Sequence, residues 1–374
     1  MTRIEGHLKI KTVVENSVVV DAFLSANLFR GIEKALIGYD ARAAQQSTQR
    51  VCGICPYAHA EASSLALEDA MGLTLNTNGR LLRNIITATY QLHDFLFHFY
   101  HLCALDFIDH TDIQHYQGKD PSLTAFKEWF ISELKSPRIY PATPFLPRYQ
   151  AAYSNNKDLN IGVMKNYLEA FAIGSDLHKM VAIFGGKSPH PVAVEAGGVT
   201  TVPTLEKILH FKTILAKVER FLLGGYGKDI LAVGREFPGY FNEGTGPGNF
   251  LSFPCLPEEN NTKYLLAGGV TIGGNHTGFD KNKITEDLAY SYYSGPSEAA
   301  SSPLAHTRLT PLTQAAFLQE QIKPDGKYSW AKAPRYDGHI MEVGAVARII
   351  NTLQAGSNPL LQDTAARVNK TLNI

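Results

Sequence analysis

The 374-residue chain has little of what would assign it quickly. Only four cysteines occur, Cys52, Cys55, Cys103 and Cys255, too few and too unevenly placed for a disulfide-rich secreted scaffold. Charge of one sign is missing as well: 35 Lys+Arg against 35 Asp+Glu leave zero. That balance removes the electrostatic reason to expect a nucleic-acid or anionic-membrane partner. The opening residues, MTRIEGH, lack the basic start and apolar run of a signal peptide. No later run reaches the roughly 18 apolar residues of a membrane span, so export or membrane attachment is expected through a partner. Charged residues, 19% of the chain, fall below the roughly 25% of soluble domains, as for a surface covered by another chain. Hydrophobic residues at 44% exclude general disorder, and the length is enough to bury a sizeable core.

What is present is mostly helical in pattern. Residues 8–24 are valine-rich and alternate around Glu15-Asn16-Ser17, as a hairpin does. Residues 57–71 are alanine-rich and stop at Gly72, which predicts a helix with the cysteine pair at its entrance. Residues 80–107 contain neither Pro nor Gly and predict one long core helix. Residues 108–160 carry five prolines among polar residues and predict an excursion with one short helix over 123–134. Helices are expected again over 159–184, 204–223 and 341–374, with irregular structure and small strands over 237–310. GTGPGN at 244–249 does not sit between a strand and a helix in a phosphate-binding spacing and is read as a turn.

Arg50-Val51-Cys52-Gly53-Ile54-Cys55-Pro56 places two thiols where both sulfurs can reach one metal, and Arg50 with a helix N-terminus favours thiolate. Soft thiolates suit zinc, iron or nickel. A tetrahedral site needs four donors, and Cys103 and Cys255 are singles, so the pair is half a site. Metal chelation, a thioredoxin-like disulfide and inert buried thiols all stay open on spacing alone. His59, four residues after Cys55, shares its helix face. Asp94, His98 and His101 follow i, i+4, i+7, either as a hydrogen-bonded buried network or with Asp94 facing a reaction site. Glu5 and Glu33 are single carboxylates for which a solvated or salt-bridged role is the ordinary reading.

Taken in order, TRIEGHLKI, LFRGIE, QRVCGICPYAHAEAS, LHDFLFHFYHLCALDF, FGGKSPHP with its GGVT, and YSWAKAPRYDGHIMEVGAVAR resemble the large subunit of nickel-iron hydrogenases, most closely the respiratory uptake type. The resemblance runs from Thr2 to about Ile350. It implies a predominantly α, α+β fold in a single large-subunit-like domain, with an N-terminal β region over 1–35, a helical core over 36–235 and a mixed region over 236–374. It also implies a nickel-iron centre with carbon monoxide and cyanide on iron, and a small-subunit partner carrying iron-sulfur clusters. In that pattern Cys52 is a terminal nickel ligand, Cys55 bridges nickel and iron, and Glu33 binds magnesium. Glu5 passes protons away from the nickel thiolates, Asp94 stands over the open metal position, His59 lies near the bridging cysteine, and His190 lies at the small-subunit interface. The implied reaction is reversible heterolytic cleavage of dihydrogen, in a periplasmic or membrane-associated complex, with a cytoplasmic one as the alternative.

The pattern departs from the family at its end, where a second cysteine pair and a histidine are expected and are missing. The chain is accordingly expected to be C-terminally incomplete. A subunit split in two, with a separate segment carrying the second pair, would give the same ending, as would a degenerate paralogue. On that expectation the chain alone is inactive. A thiol-disulfide oxidoreductase using Cys52 and Cys55, and a non-catalytic subunit derived from hydrogenases, are the competing functions.

Overall fold

The structure, a computed structural model, describes residues 6–146, 148, 151–259, 263–294, 310–311 and 326–372. Strands β1 (Leu8–Glu15) and β2 (Val18–Ala26) come first. They form an antiparallel hairpin whose turn residues, Asn16 and Ser17, both have positive φ, 51° and 65°, the geometry whose twist matches that of the flanking strands. Helices follow: α1 (Ile32–Ala35), α2 (Ala44–Thr48), α3 (Pro56–Met71), α4 (Thr77–Phe97), α5 (Pro121–Leu134) and α6 (Lys157–Gly185). A small hairpin of β3 (Val194–Glu195) and β4 (Gly198–Val199) precedes α7 (Leu205–Phe221) and α8 (Gly227–Glu236).

Short strands then run as β5 (Phe250–Ser252), β6 (Cys255–Pro257), β7 (Tyr264–Leu266), β8 (Gly269–Ile272), β9 (Asn275–Thr277) and β10 (Ile284–Asp287). After them come β11 (Tyr293–Ser294), β12 (Thr310–Pro311), β13 (Ala333–Tyr336), α9 (Ala345–Gln354) and α10 (Pro359–Leu372). The architecture is α+β and mostly α, as the sequence implies. It divides into two compact units, Met1–Gly31 with Gly244–Asp363, and Ile32–Glu243 with Thr364–Ile374.

The first unit holds the β1–β2 hairpin and the small antiparallel sheets made by β5 to β13, among them β5-β8-β9. Asn351 of α9 is fully buried and donates to the Ser252 hydroxyl and the Gly269 carbonyl, both at 2.9 Å, while accepting from Thr271 at 2.8 Å. The glycine-rich 244–249 segment, expected as a turn, is an irregular stretch that is neither helix nor strand. Its Gly248 N–H donates to the Glu342 carboxylate at 3.1 Å, so the loop wraps a side chain of its own unit.

The second unit is helical, and its helix starts are written in the sequence. Asn76, Asp120, Asn156 and Thr204 each accept a hydrogen bond from a backbone N–H of the first turn of α4, α5, α6 and α7. Gly72 ends α3 in the left-handed conformation at φ 65°, where a Cβ would be strained. The larger core gathers Leu96, Tyr100, Phe130, Met164, Ile173 and Leu177 between α4, α5 and α6. A smaller one joins Tyr57 to Ile86, Tyr90, Phe184 and Val194.

Two helices differ from expectation. The run expected as one rod over 80–107 is α-helical only to Phe97; His98–Cys103 is a π turn and Ala104–Asp106 a 3-10 turn. Past α7 the chain likewise enters a π turn, Leu222–Tyr226, before α8. The wider π turn starts at His98, whose N–H still bonds to the Asp94 carbonyl as in the regular helix. Residues expected as one terminal helix form two, α9 and α10, separated at Gly356, φ 63°.

Candidate metal centre

A 3-10 turn, Gln49–Val51, delivers Cys52 in an extended conformation, φ −137° and ψ 137°, and the chain then reverses into α3. The reversal turns two backbone N–H groups onto the Cys52 sulfur: Ile54 at 3.3 Å and Cys55 at 3.1 Å. Cys55 is the residue that precedes the first turn of α3, and Pro56 at the first helical position has no N–H to satisfy. Cys52 is buried and Cys55 half-buried.

One turn into α3, the His59 Nε2 lies 3.8 Å from the Cys55 Sγ. Tyr57 on the same helix stacks on Tyr90 of α4 with ring centroids 4.8 Å apart, and its hydroxyl meets that of Thr87 at 2.6 Å. Thr87 in turn donates to the Glu61 carboxylate at 2.8 Å. Farther along, Glu68 and Arg83 form a buried ion pair at 2.7 Å. The Gly197 N–H donates to Glu68 at 2.7 Å and Arg83 donates to the Gly198 carbonyl at 3.1 Å, so the pair fixes α3, α4 and the β3–β4 hairpin together.

Electrostatics at the pair contradict one expectation. Burial first, then the hydrogen bond and charge of Cys52, then the charge of Asp94, push the Cys55 thiol up to about 12. Arg50 does not offset this; its charge is felt at His190, whose imidazole is pushed down by burial first and then by Arg50 and Lys187. The Cys55 thiol, with Cys52 beside it and a carboxylate in range, holds its proton until a cation replaces it. That is the charge pattern of a metal-binding pair, since a bound dication deprotonates thiols outright.

The other residues singled out by sequence are spread out. Asp94 is half-exposed on α4 and its Oδ1 lies 3.4 Å from the Nδ1 of His93. The network expected to join it to His98 and His101 does not form: His98 sits 3.7 Å from the Cys103 sulfur, and His101 stacks on Phe171 at 4.1 Å. Glu33 is exposed in α1. His190 lies in the loop after α6 at φ 63°. Glu5 lies outside the described residues. Among the described residues no group of three or more His, Cys, Asp or Glu side chains forms a metal cage, so the cysteine pair is a two-donor site. Among them, too, no helix is long and apolar enough to cross a membrane. Tyr57, Tyr90, His93, His178 and Ser188 were not singled out from the sequence. Only Tyr57, two residues past Cys55, carried a local signal.

The family profile described as nickel-dependent hydrogenase matches residues 30–374. The chain is 34% identical to the periplasmic NiFeSe hydrogenase large subunit of Desulfomicrobium baculatum, over 93% of this chain and 62% of that protein. It is 30% identical to the hydrogenase-2 large chain of Escherichia coli, over 95% and 67%. The solved Ni-Fe-Se hydrogenase of D. vulgaris Hildenborough in its reduced state superposes with a TM-score of 0.81 at 34% identity, covering 99% of this chain and 68% of that one. The chain thus spans about 62 to 68% of the length of these relatives.

Proposed function

The chain belongs to the nickel-dependent hydrogenase large-subunit family, and from that premise we propose that it is the catalytic subunit of a nickel-iron hydrogenase, cleaving dihydrogen reversibly into protons and electrons. The observation that carries the reading is the paired Cys52 and Cys55 thiols at the entrance of α3, with His59 at the Cys55 sulfur and Asp94 in electrostatic range.

The donor chemistry fits the family's centre. In this reading Cys52 and Cys55 would be the two sulfur donors that this pair contributes to holding the nickel-iron centre. When bound, the centre supplies the Lewis acidity and electron-accepting capacity that heterolysis of dihydrogen needs. The chain's own groups handle the proton. A cysteine thiolate would be the first base, Glu5 would relay the proton outward, and Asp94, whose charge is felt at Cys55, would act beside the pair. His59 orients the Cys55 sulfur, and Glu33 holds magnesium. Electrons leave through iron-sulfur clusters of a small-subunit partner, which also provides the periplasmic or membrane placement.

The thiol-disulfide alternative needs a lowered thiol as nucleophile, and the Cys55 thiol is raised. Nickel and iron analysis of the purified large–small subunit complex, with hydrogen-dependent reduction of a viologen dye, tests the proposal. Metal-dependent activity that Cys55→Ser loses together with its nickel is expected. A metal-free wild-type complex, or a Cys55→Ser complex retaining nickel and activity, overturns it.

A further inference from the structure

Beside Asp94 lies a pair of imidazoles that the hydrogenase reading leaves unused. His93 of α4 and His178 of α6 stand with ring centroids 4.3 Å apart, tilted by 53°. The His93 Nδ1 faces the Asp94 Oδ1 at 3.4 Å, and the His178 Nδ1 faces the Ser188 hydroxyl at 2.6 Å. Ser188 in turn lies 3.3 Å from the Tyr90 hydroxyl. Gly174 of α6 lies alongside the pair, where a Cβ would be in ordinary contact with the His93 ring at 4.0 Å. On the other side Phe97 separates the pair from His101, with centroid distances of 6.0 and 5.5 Å.

We propose that His93 and His178 form a coupled pair holding one exchangeable proton next to Asp94, with His178 and Ser188 as positioning residues. The inference rests on the hydrogenase reading for its role, which is to take a proton from Asp94 during turnover. The Asp94 O–H bond breaks, an N–H bond forms on His93, and no electrons move. Ser188 fixes one nitrogen of His178, so the ring orientation of the pair is set from the loop after α6.

Two imidazolium charges at this separation repel strongly. At an effective dielectric near 20, the second proton binds roughly two to three pH units lower than the first. The charges around the pair agree with one proton. Burial pushes His178 down and the charge of His93 pushes the same way, while Asp94 pulls up. The other titratable groups in reach are Tyr90, which feels Asp94, His101, which feels His93, and Cys55, which feels Asp94.

The test is NMR titration of 15N-histidine-labelled chain, metal-free, with His178→Gln, Ser188→Ala and Asp94→Asn variants whose folding is checked by circular dichroism. Wild type should show two histidine steps separated by that two-to-three-unit split. His178→Gln should leave a single His93 step at a changed midpoint, Asp94→Asn should lower the first step, and Ser188→Ala should change the His178 Nδ1 signal. A His93 midpoint identical in wild type and His178→Gln overturns the pair. In the assembled enzyme, the pH profile of deuterium–proton exchange should move in His178→Gln with the NMR step, at unchanged nickel content; an unmoved profile overturns the catalytic role. A wild-type complex without nickel or exchange activity would sink the hydrogenase reading, and the metal-free titration would still decide the pair.

Discussion

The protonated state of Cys55 makes a measurable demand on its reactivity. With the thiol at about 12, the thiolate fraction at pH 8 is about one in ten thousand, against roughly a quarter for an ordinary thiol near 8.5. That is about 2,000-fold fewer nucleophiles, and the greater intrinsic reactivity of a more basic thiolate returns about 40-fold, for a net slowing of roughly 60-fold. Alkylation of the metal-free chain by iodoacetamide, followed at the Cys55 peptide by mass spectrometry against a free cysteine peptide, reads this ratio. The rate should keep rising about tenfold per pH unit from pH 8 to 11. Asp94→Asn should raise it only modestly, because burial and Cys52 come before Asp94 among the causes. A rate that levels off near pH 8.5, or a Cys52–Cys55 disulfide that forms in glutathione buffer ahead of alkylation, would refute the argument and favour a redox pair.

Three further outcomes test the scaffold. Glu68→Ala should cost about 3–5 kcal/mol, because it strands the buried Arg83 guanidinium and the Gly197 N–H; Trp129 fluorescence in urea reads it, and Glu68→Leu with Arg83→Met should recover much of the loss. Asp229, buried and accepting from Tyr100 and Asn166, both at 2.8 Å, is raised by burial. The stability it contributes is therefore present below the ordinary carboxylate value near 3.9 and is lost as pH rises through its raised folded value, and Asp229→Asn should flatten that slope in urea midpoints measured across the acidic range. Asn351→Ala should cost about 2–3 kcal/mol by unpairing Ser252, Thr271 and the Gly269 carbonyl, with Trp330 fluorescence as the readout.

Local chemistry explains which parts of the fold were legible in the sequence. A cap residue, a Pro at the first helical position or a Gly at φ 65° acts within one turn, so the boundaries of α3 and α5 and the place of the cysteine pair at a helix entrance can be read from a few neighbouring residues. The proximity of His59 to Cys55 is equally local. His93 and His178 meet across 85 positions of sequence, and nothing in the spacing of either announces the other. The Arg50 expectation failed for a related reason: sequence adjacency placed a positive charge beside the thiols, whereas the fold directs it at His190.

The π turn at His98–Cys103 shows the limit most clearly. Over residues 80–107 the apolar spacing is as compatible with a continuous α-helix as with one carrying an inserted residue, so periodicity alone selects the regular form. The long-range contacts decide otherwise. Tyr100 must be fully buried and still bring its hydroxyl to Asp229, which Asn166 also reaches, because an uncompensated carboxylate there would be costly. The second π turn, at Leu222–Tyr226, places Tyr226 with its ring centroid 6.1 Å from that of Tyr100. Both departures from α geometry thus bring aromatic residues to one buried cluster around Tyr100. Asp94 itself stays in the regular helix, where His93, one residue away, is its side-chain partner.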